Sequence, residues 1–296
     1  MTTRFLRHIM AGFFLCLFSA FAMAVPVAPW PMDGHDAQRT GCSSYPGPNN
    51  PKQLWEASIV DKPENMGIIG TVIGADGTLY VAEDNALHAL SPDGKQKWTF
   101  TGPISSSPAI GPDGTVYFGS KKLYALNPEG KLQWEFSPAT PHGETIQSPV
   151  IGKDGVIYLV MDKMYAINPD GKQKWSFCPP DLWGWRPPAL GVNSNTVYAV
   201  GSDTLYAINS KGTQIWSTRG ESRATKGYKS APCVGVYDEN DIVYLSSAFK
   251  FPTTCSAVTY DGVENWKLNI LGKYSVNPIP SKTYCVHSNI SNTICQ

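Results

Sequence analysis

The stretch "DGTVYFGSKKLYALNPEGKLQW", residues 113–134, contains apolar runs separated by short turns and ends on a tryptophan. Its Asp-Gly and Pro-x-Gly sequences are typical of tight turns, because glycine takes the positive-φ position and proline presets the first turn residue. Related copies begin at Asp76, Asp154 and Ser194, and a looser copy begins at Asn240. A unit that recurs about every forty residues, with several strand-like segments per copy, predicts a β-propeller blade.

The apolar runs are almost continuous, as "VIYLV" at residues 156–160 shows, rather than alternating with polar residues. This pattern predicts strands that are buried on both faces, as in a blade that lies between two neighbouring blades. A tyrosine in the second strand and a tryptophan in the fourth mark each unit. They recur at Tyr80, Tyr117, Tyr158, Tyr198, Tyr244 and Tyr284, and at Trp55, Trp98, Trp134, Trp175, Trp216 and Trp266.

The two ends of the repeat array are incomplete. Trp55 has no tyrosine strand before it, and Tyr284 has no tryptophan strand after it. The ends complement each other if "QLWEAS", residues 53–58, forms the outer strand of a last blade built from residues 275–295. We therefore predict an all-β fold: a single β-propeller of six four-stranded blades, closed by pairing the N-terminal strand with the last blade. The irregular last blade leaves seven blades or incomplete closure as alternatives.

The first residues have the pattern of an export signal. Basic residues precede an apolar stretch at residues 9–21, and Ala22-Met23-Ala24 then offers a cleavage site with small residues. The apolar stretch is short for a membrane span, so we expect a mature chain without one, exported to the periplasm or secreted. The predicted organisation is a signal peptide at residues 1–24, a leading segment at 25–49 and a β-propeller at 50–296.

Charge and cysteine content narrow the classes of partner. The chain has 24 basic and 24 acidic residues, which argues against a nucleic acid or an anionic membrane held mainly by charge. After the signal peptide the cysteines are even in number, and none has the CxxC spacing of a zinc or redox site. An exported chain of this kind can form disulfides. We expect the pairs Cys233–Cys255 and Cys285–Cys295.

The repeat, with its Asp-Gly-Thr-Val-Tyr and Tyr-Ala-Leu-Asn-Pro-x-Gly-x-x-x-Trp sequences, resembles the quinoprotein-like (PQQ-like) β-propeller repeat. "WPMDGHDAQRTG", residues 30–41, is similar to the opening segment of bacterial members. The resemblance covers roughly residues 30–290 and implies the fold. Its members include quinone-dependent alcohol and sugar dehydrogenases, outer-membrane-protein assembly lipoproteins and exported propellers without known chemistry.

The catalytic residues of the family's enzymes have no counterparts in this sequence. In the alcohol dehydrogenases the resemblance implies an adjacent Cys-Cys pair over the cofactor, calcium ligands from Glu, Asn and Asp, and an Asp base. This chain has no Cys-Cys pair and no segment onto which the other residues map. The repeated turn carboxylates, such as Asp76, Asp113 and Asp154, are expected to form turns. We predict no cofactor, no metal and no catalytic residue, so enzymatic activity is less expected than binding.

Long segments follow the tryptophan strands at residues 57–70, 137–147, 178–186, 218–229 and 268–274. All are blade-to-blade connections, so they should gather on one face, the loop face; most of the short glycine turns lie on the other, the turn face. Loops on a rigid scaffold commonly bind partners, and Trp, Tyr and Arg are common anchors. The candidate binding residues are Trp183, Trp185, Arg186, Arg223, Lys226, Tyr228, Lys229, Phe249, Lys250 and His142. An alternative is that Trp183 and Trp185 plug the central channel.

The sequence thus predicts an exported, non-enzymatic propeller that acts as a protein- or peptide-binding scaffold through its loop face. A quinone-dependent oxidoreductase is the first alternative. A carbohydrate-binding propeller is the second, because aromatic residues such as Trp183, Trp185 and Tyr228 can stack on sugars.

Overall fold

The computed structural model describes a chain of β-strands joined by turns. The described residues are 28–44, 46–47, 49–57, 67–138, 145–178, 185–192, 195–201, 204–219, 231–237, 239–247 and 254–269. No helix occurs within these ranges, so they contain none that could cross a membrane. The predicted signal peptide lies outside them and stays a prediction.

The strands form five antiparallel sheets, each of four strands, in the described part of the chain. Blade 1 contains β1 (Ile68–Ile73), β2 (Leu79–Glu83), β3 (Ala86–Leu90) and β4 (Gln96–Thr101). Blade 2 contains β5 (Ala109–Ile110), β6 (Val116–Gly119), β7 (Leu123–Leu126) and β8 (Leu132–Phe136). Blade 3 contains β9 (Val150–Ile151), β10 (Ile157–Val160), β11 (Met164–Ile167) and β12 (Gln173–Phe177).

The remaining two sheets continue the same order. Blade 4 contains β13 (Ala189–Leu190), β14 (Val197–Gly201), β15 (Thr204–Ile208) and β16 (Gln214–Arg219). Blade 5 contains β17 (Cys233–Tyr237), β18 (Asn240–Ser247), β19 (Thr254–Thr259) and β20 (Glu264–Asn269). The first strand of each blade is innermost, since β5 contacts β9 and β13 contacts β17. The all-β propeller fold is confirmed.

The core lies between neighbouring blades, as the continuous apolar runs indicated. Every residue of β6, β10 and β14 is buried. Between blades 1 and 2, Ala82 and Leu87 belong to one apolar cluster with Phe118 of the next sheet. Because blades 2, 3 and 4 bury both faces against their neighbours, a single blade could not form a core alone.

The repeated tryptophans of blades 1 to 4 each join their blade to the next one. Trp134 on β8 donates a hydrogen bond from Nε1 to the carbonyl of Pro169, at 2.9 Å, in the β11–β12 turn. Its ring covers Gly171 of that turn, where a Cβ would lie 2.8 Å from the ring. Trp134 is therefore half-buried at a blade junction. The same contact is made by Trp98, Trp175 and Trp216.

Trp55 makes this contact on blade 1. Its Nε1 donates to the carbonyl of Pro92, at 2.8 Å, and its ring covers Gly94. Residues 53–57 show the same alternation of exposed and half-buried side chains as the outer strand β4. Trp55 thus occupies the place that an outer-strand tryptophan of a preceding blade would take. The expected partner, residues 275–295, lies outside the described residues, so six blades and ring closure stay predictions.

The expected Cys233–Cys255 disulfide is wrong. Cys233 lies on β17 and Cys255 on β19, and β18 runs between them. Strands lie about 4.8 Å apart in a sheet, so the two Cα atoms are about 10 Å apart, beyond the reach of a disulfide. Cys233 keeps a free thiol, and burial raises its pKa to about 11. Cys42 is disulfide-bonded, and the expected Cys285–Cys295 pair lies outside the described residues.

Candidate functional site

The leading segment runs through the centre of the propeller. Trp30 forms a β-bridge with Ile73, and Met32 forms one with Ala109. Its carbonyls accept a hydrogen bond from an innermost strand in each of four blades. The pairs are Ile73 N–H to Trp30 (2.8 Å), Ile110 N–H to Pro31 (2.7 Å), Leu190 N–H to Ala37 (2.7 Å) and Val234 N–H to Gln38 (2.9 Å).

A tight turn lies between these two pairs of contacts. The His35 N–H donates to the Met32 carbonyl at 2.9 Å, and His35 adopts a positive φ of 78°. Arg39, also at positive φ, forms an ion pair with Asp33 at 2.7 Å. Asp36 accepts hydrogen bonds from the Thr40 backbone and hydroxyl. These contacts fix a loop that turns back before the segment reaches blade 4.

Blade 3 is an exception to this pattern of hydrogen bonds. Ile151 pairs with Ile157 in the register that Ile110 and Val116 have in blade 2. Its N–H should therefore also point to the channel, yet it has no acceptor among the described residues. Ile151 as a whole residue is 4% exposed.

A cavity of about 1320 Å³ opens beside Ile151 on the turn face, and we call it the channel cavity. The leading segment forms one wall through Met32, Asp36 and Ala37. Tyr80 and Tyr158 line it as well, and each is at most 5% exposed. Neither hydroxyl makes a hydrogen bond to a described residue.

Both tyrosines remain neutral donors over the physiological pH range. Burial, helped by the negative charge of Asp76, raises the pKa of Tyr80 to about 12. Burial, helped by Asp154, raises the pKa of Tyr158 to about 12. The hydroxyls can therefore donate to an acceptor in the cavity without ionising.

The carboxylates at the cavity rim are held by their own turns. Asp76 accepts bonds from the Thr78 backbone and hydroxyl and from Lys97. Burial raises the pKa of Asp76, but these bonds outweigh it and lower the pKa to about 2. Asp113 is held by Thr115 in the same way. The turn-forming role expected from the sequence agrees with these contacts.

Blade 3 again departs from the repeat. Val156 stands where blades 1 and 2 have a threonine, and it donates only its backbone N–H to Asp154, at 3.2 Å. Lys174 occupies the position of Lys97 but forms no ion pair with a described residue, and neither does Lys153. Both lysines are among the residues that line the channel cavity.

Two of the sequence-predicted binding residues are described. Trp185 is 5% exposed and packs against Tyr206, with ring centroids 6.0 Å apart, and over Gly201. It therefore fills a gap in the apolar cluster between blades 3 and 4. Arg186 donates its N–H to the Val200 carbonyl at 2.9 Å. The others, His142, Trp183, Arg223, Lys226, Tyr228, Lys229, Phe249 and Lys250, lie outside the described residues.

A buried pair in blade 1 has a structural explanation. His88 Nε2 lies 3.0 Å from Glu83 Oε1, and its Nδ1 lies 3.1 Å from the Thr99 hydroxyl. His88 takes the position of Tyr165 in blade 3, whose hydroxyl bonds Asp162 at 2.8 Å. The pair is thus a variant of a repeat contact. The described ranges contain no group of His, Cys, Asp and Glu that could hold a metal ion.

Residues 48–163 match the sequence family described as "Outer membrane protein assembly factor BamB". A comparison with curated protein sequences finds no match. Among solved structures, the fold is similar to quinohemoprotein alcohol dehydrogenase ADHIIG from Pseudomonas putida HK5, with a TM-score of 0.59 and 15% identity over 83% of this chain and 48% of that one.

Two further structures show the same fold. A protein from Lactobacillus plantarum has a TM-score of 0.54 and 15% identity over 68% of this chain and 71% of that one. Dihydro-heme d1 dehydrogenase NirN, in complex with DHE, has a TM-score of 0.57 and 11% identity over 73% of this chain and 50% of that one. The chain spans about half the length of NirN and of the alcohol dehydrogenase. At these identities the similarity shows the fold alone.

Proposed function

Because the chain carries PQQ-like β-propeller repeats, we propose that it is an exported, non-enzymatic propeller that binds a protein or peptide through its loop face. The observation that carries this proposal is the position of the leading segment, which is hydrogen-bonded to the innermost strands of four blades. A cofactor bound against these four inner edges would have to displace the segment, which supports recognition through the loop face.

The topology supports the loop face as the binding surface. The outer strands β4, β8, β12 and β16 all end at the face where the next blade begins. The connections that leave this face are residues 102–108, 137–149, 178–188 and 220–232. Such connections can vary in length and sequence without disturbing the buried strands, and they are where binding residues are commonly found.

Site-specific photo-crosslinking tests this proposal. A photoreactive amino acid at Tyr228 or Phe249 should give a discrete adduct with one envelope protein in cells that express the chain. The matched control position is Leu132, an exposed residue of an outer strand, which should give no such adduct. The proposal fails if the loop positions give no adduct or give the same adducts as Leu132.

The export proposal has a separate test. The basic and apolar pattern of residues 1–24 supports removal after Ala24. Sequencing the N-terminus of the protein purified from its native compartment should therefore begin at Val25. A chain that still begins at Met1 would contradict it.

The alternative function, a quinone-dependent oxidoreductase, is favoured by the fold similarity to ADHIIG. It requires binding of the quinone. Purified protein mixed with the quinone and calcium should then show a changed absorption spectrum and reduce a dye when an alcohol is added. Neither signal is expected if the leading segment keeps its hydrogen bonds to the four innermost strands.

A further inference from the structure

We propose that the channel cavity binds an extended peptide segment, which accepts a main-chain hydrogen bond from Ile151. This site is distinct from the loop face, because the cavity lies among the Asp-Gly turns on the turn face. It therefore goes beyond the proposed function, and either site can exist without the other.

The first argument is the vacant donor at Ile151. The equivalent N–H groups of Ile73, Ile110, Leu190 and Val234 all donate to carbonyls of the leading segment. The N–H of Ile151 has no described acceptor although the residue is 4% exposed. Backbone N–H groups in native structures nearly always have a hydrogen-bond partner, so this donor, which faces the cavity, is a natural contact for a ligand.

The path of the leading segment explains the vacancy. Pro31 bonds to blade 2 and Ala37 bonds to blade 4. Between them, the turn closed by the His35 N–H and the Met32 carbonyl carries the chain past β9 without a hydrogen bond. The inner edge of blade 3 is therefore left open, and its neighbours show what occupies such an edge in this molecule: an extended main chain.

The second argument is the chemistry of the cavity wall. The hydroxyls of Tyr80 and Tyr158 have no described partner, and Lys153 and Lys174 form no described ion pair. These groups are donors, so the ligand should be rich in acceptors, as a peptide main chain is. The rim carboxylates Asp76 and Asp113 are held by their own turns.

The third argument is size and apolar surface. The volume of about 1320 Å³ exceeds the roughly 300–1,000 Å³ of a site for a drug-sized molecule. The apolar lining includes Met32, Ile110 and Leu190, which can cover apolar side chains. Main-chain hydrogen bonds with pockets for alternate side chains are the usual way in which an open strand edge takes a peptide.

The test begins with a random hexapeptide library displayed on phage and selected on the immobilised mature chain. Enriched sequences are synthesised and titrated into protein labelled with a nitrogen isotope at isoleucine. The Ile151 amide resonance should shift on binding, whereas the Ile110 amide, already bonded to Pro31, should stay in place. Maltotriose is titrated in parallel to test for a sugar site.

A pair of matched tyrosine variants tests whether the peptide binds in the channel cavity. Tyr158→Phe removes a hydroxyl from the cavity and should weaken the peptide about three- to tenfold, the loss expected for one hydrogen bond. Tyr117→Phe removes the equivalent hydroxyl of blade 2, which does not line the cavity, and should leave the affinity unchanged. Ile151→Pro removes the N–H itself and should abolish binding of the same peptide.

The proposal is overturned by any of four results. These are a selection that enriches no peptide, peptides that bind without shifting the Ile151 amide, equal effects of Tyr158→Phe and Tyr117→Phe, or a shift of Ile151 with maltotriose alone. A loop-face partner found by crosslinking would survive each of them, so the two proposals fail independently.

Discussion

At the scale of single residues, the contact between an outer-strand tryptophan and the glycine of the next blade holds neighbouring blades together. The indole donates to a turn carbonyl while its ring covers the glycine. The turn residue under the ring must have a positive φ and no side chain. Gly171 meets both requirements, with a φ of 82°. One residue type thereby serves both the turn geometry and the blade junction.

Gly171→Ala should lower the free energy of unfolding by about 2–4 kcal/mol, because the new Cβ strains the backbone and collides with a packed ring. The Cβ would lie 2.8 Å from Trp134 Cδ2. Urea denaturation of the mature chain measures the change. Gly67→Ala is the control, since a Cβ there meets nothing within 4 Å, and a similar loss in both variants would contradict the explanation.

Cys233 should react slowly with iodoacetamide at pH 8. The thiolate is the reactive form, and a pKa raised by burial to about 11 lowers its fraction roughly a hundredfold relative to an unfolded thiol. Unfolding in urea should restore fast alkylation, as mass spectrometry of the Cys233 peptide would show. A Cys233 that resisted alkylation even in urea would indicate a disulfide after all.

At the scale of elements, the leading segment behaves as an inner strand shared by several blades. It is short, but its carbonyls are the acceptors for four blades. Their N–H groups would otherwise lack these acceptors at the inner edges of the blades, so loss of the segment should loosen the innermost strands before the outer ones.

Deleting residues 28–42 should speed hydrogen exchange of the Ile73, Ile110 and Val234 amides, because each loses its acceptor. The Ile151 amide has no acceptor in the described part of the chain and is an internal control whose exchange should change little. Nuclear magnetic resonance on isoleucine- and valine-labelled protein can follow all four. Equal acceleration at Ile151 would mean that the whole molecule had loosened.

The blades could be predicted from the sequence because their signals are local. Asp-Gly turns, continuous apolar runs and a repeated tryptophan each depend on neighbours in the chain. The open edge at Ile151 could not be predicted, because the local sequence does not show whether a carbonyl from a distant part of the chain accepts a hydrogen bond from this N–H. The channel cavity was missed for the same reason.

Trp185 shows how a side chain in an irregular segment can mislead. Its place outside the tryptophan repeat suggested an exposed anchor, yet the ring is buried beside Tyr206. The signal available in the sequence was Gly201, which ends β14 where Glu83 and Ser120 stand in blades 1 and 2. A missing side chain there leaves the space that Trp185 fills.

At the scale of the whole molecule, Trp55 links the front of the chain to the first blade. Its contacts with Pro92 and Gly94 repeat those of the other junctions. If the ring closes as predicted, this tryptophan joins the last blade to the first, and its removal should cost as much as the loss of any other junction.

Trp55→Ala should therefore lower the free energy of unfolding by about 2–4 kcal/mol, similar to Trp98→Ala, through lost packing and a lost hydrogen bond. Thermal and urea unfolding give the comparison. Leu54→Ala, at a residue 88% exposed, should change little. A Trp55→Ala protein as stable as Leu54→Ala would mean that residues 53–57 do not belong to the ring.

The seating of the leading segment imposes an order on biosynthesis. The Gln38 carbonyl accepts a hydrogen bond from the Val234 N–H, and Val234 leaves the ribosome almost two hundred residues after Gln38. The leading segment therefore cannot complete its contacts until most of the chain has been synthesised. If the chain is exported as we propose, it can cross the membrane unfolded before these last contacts form.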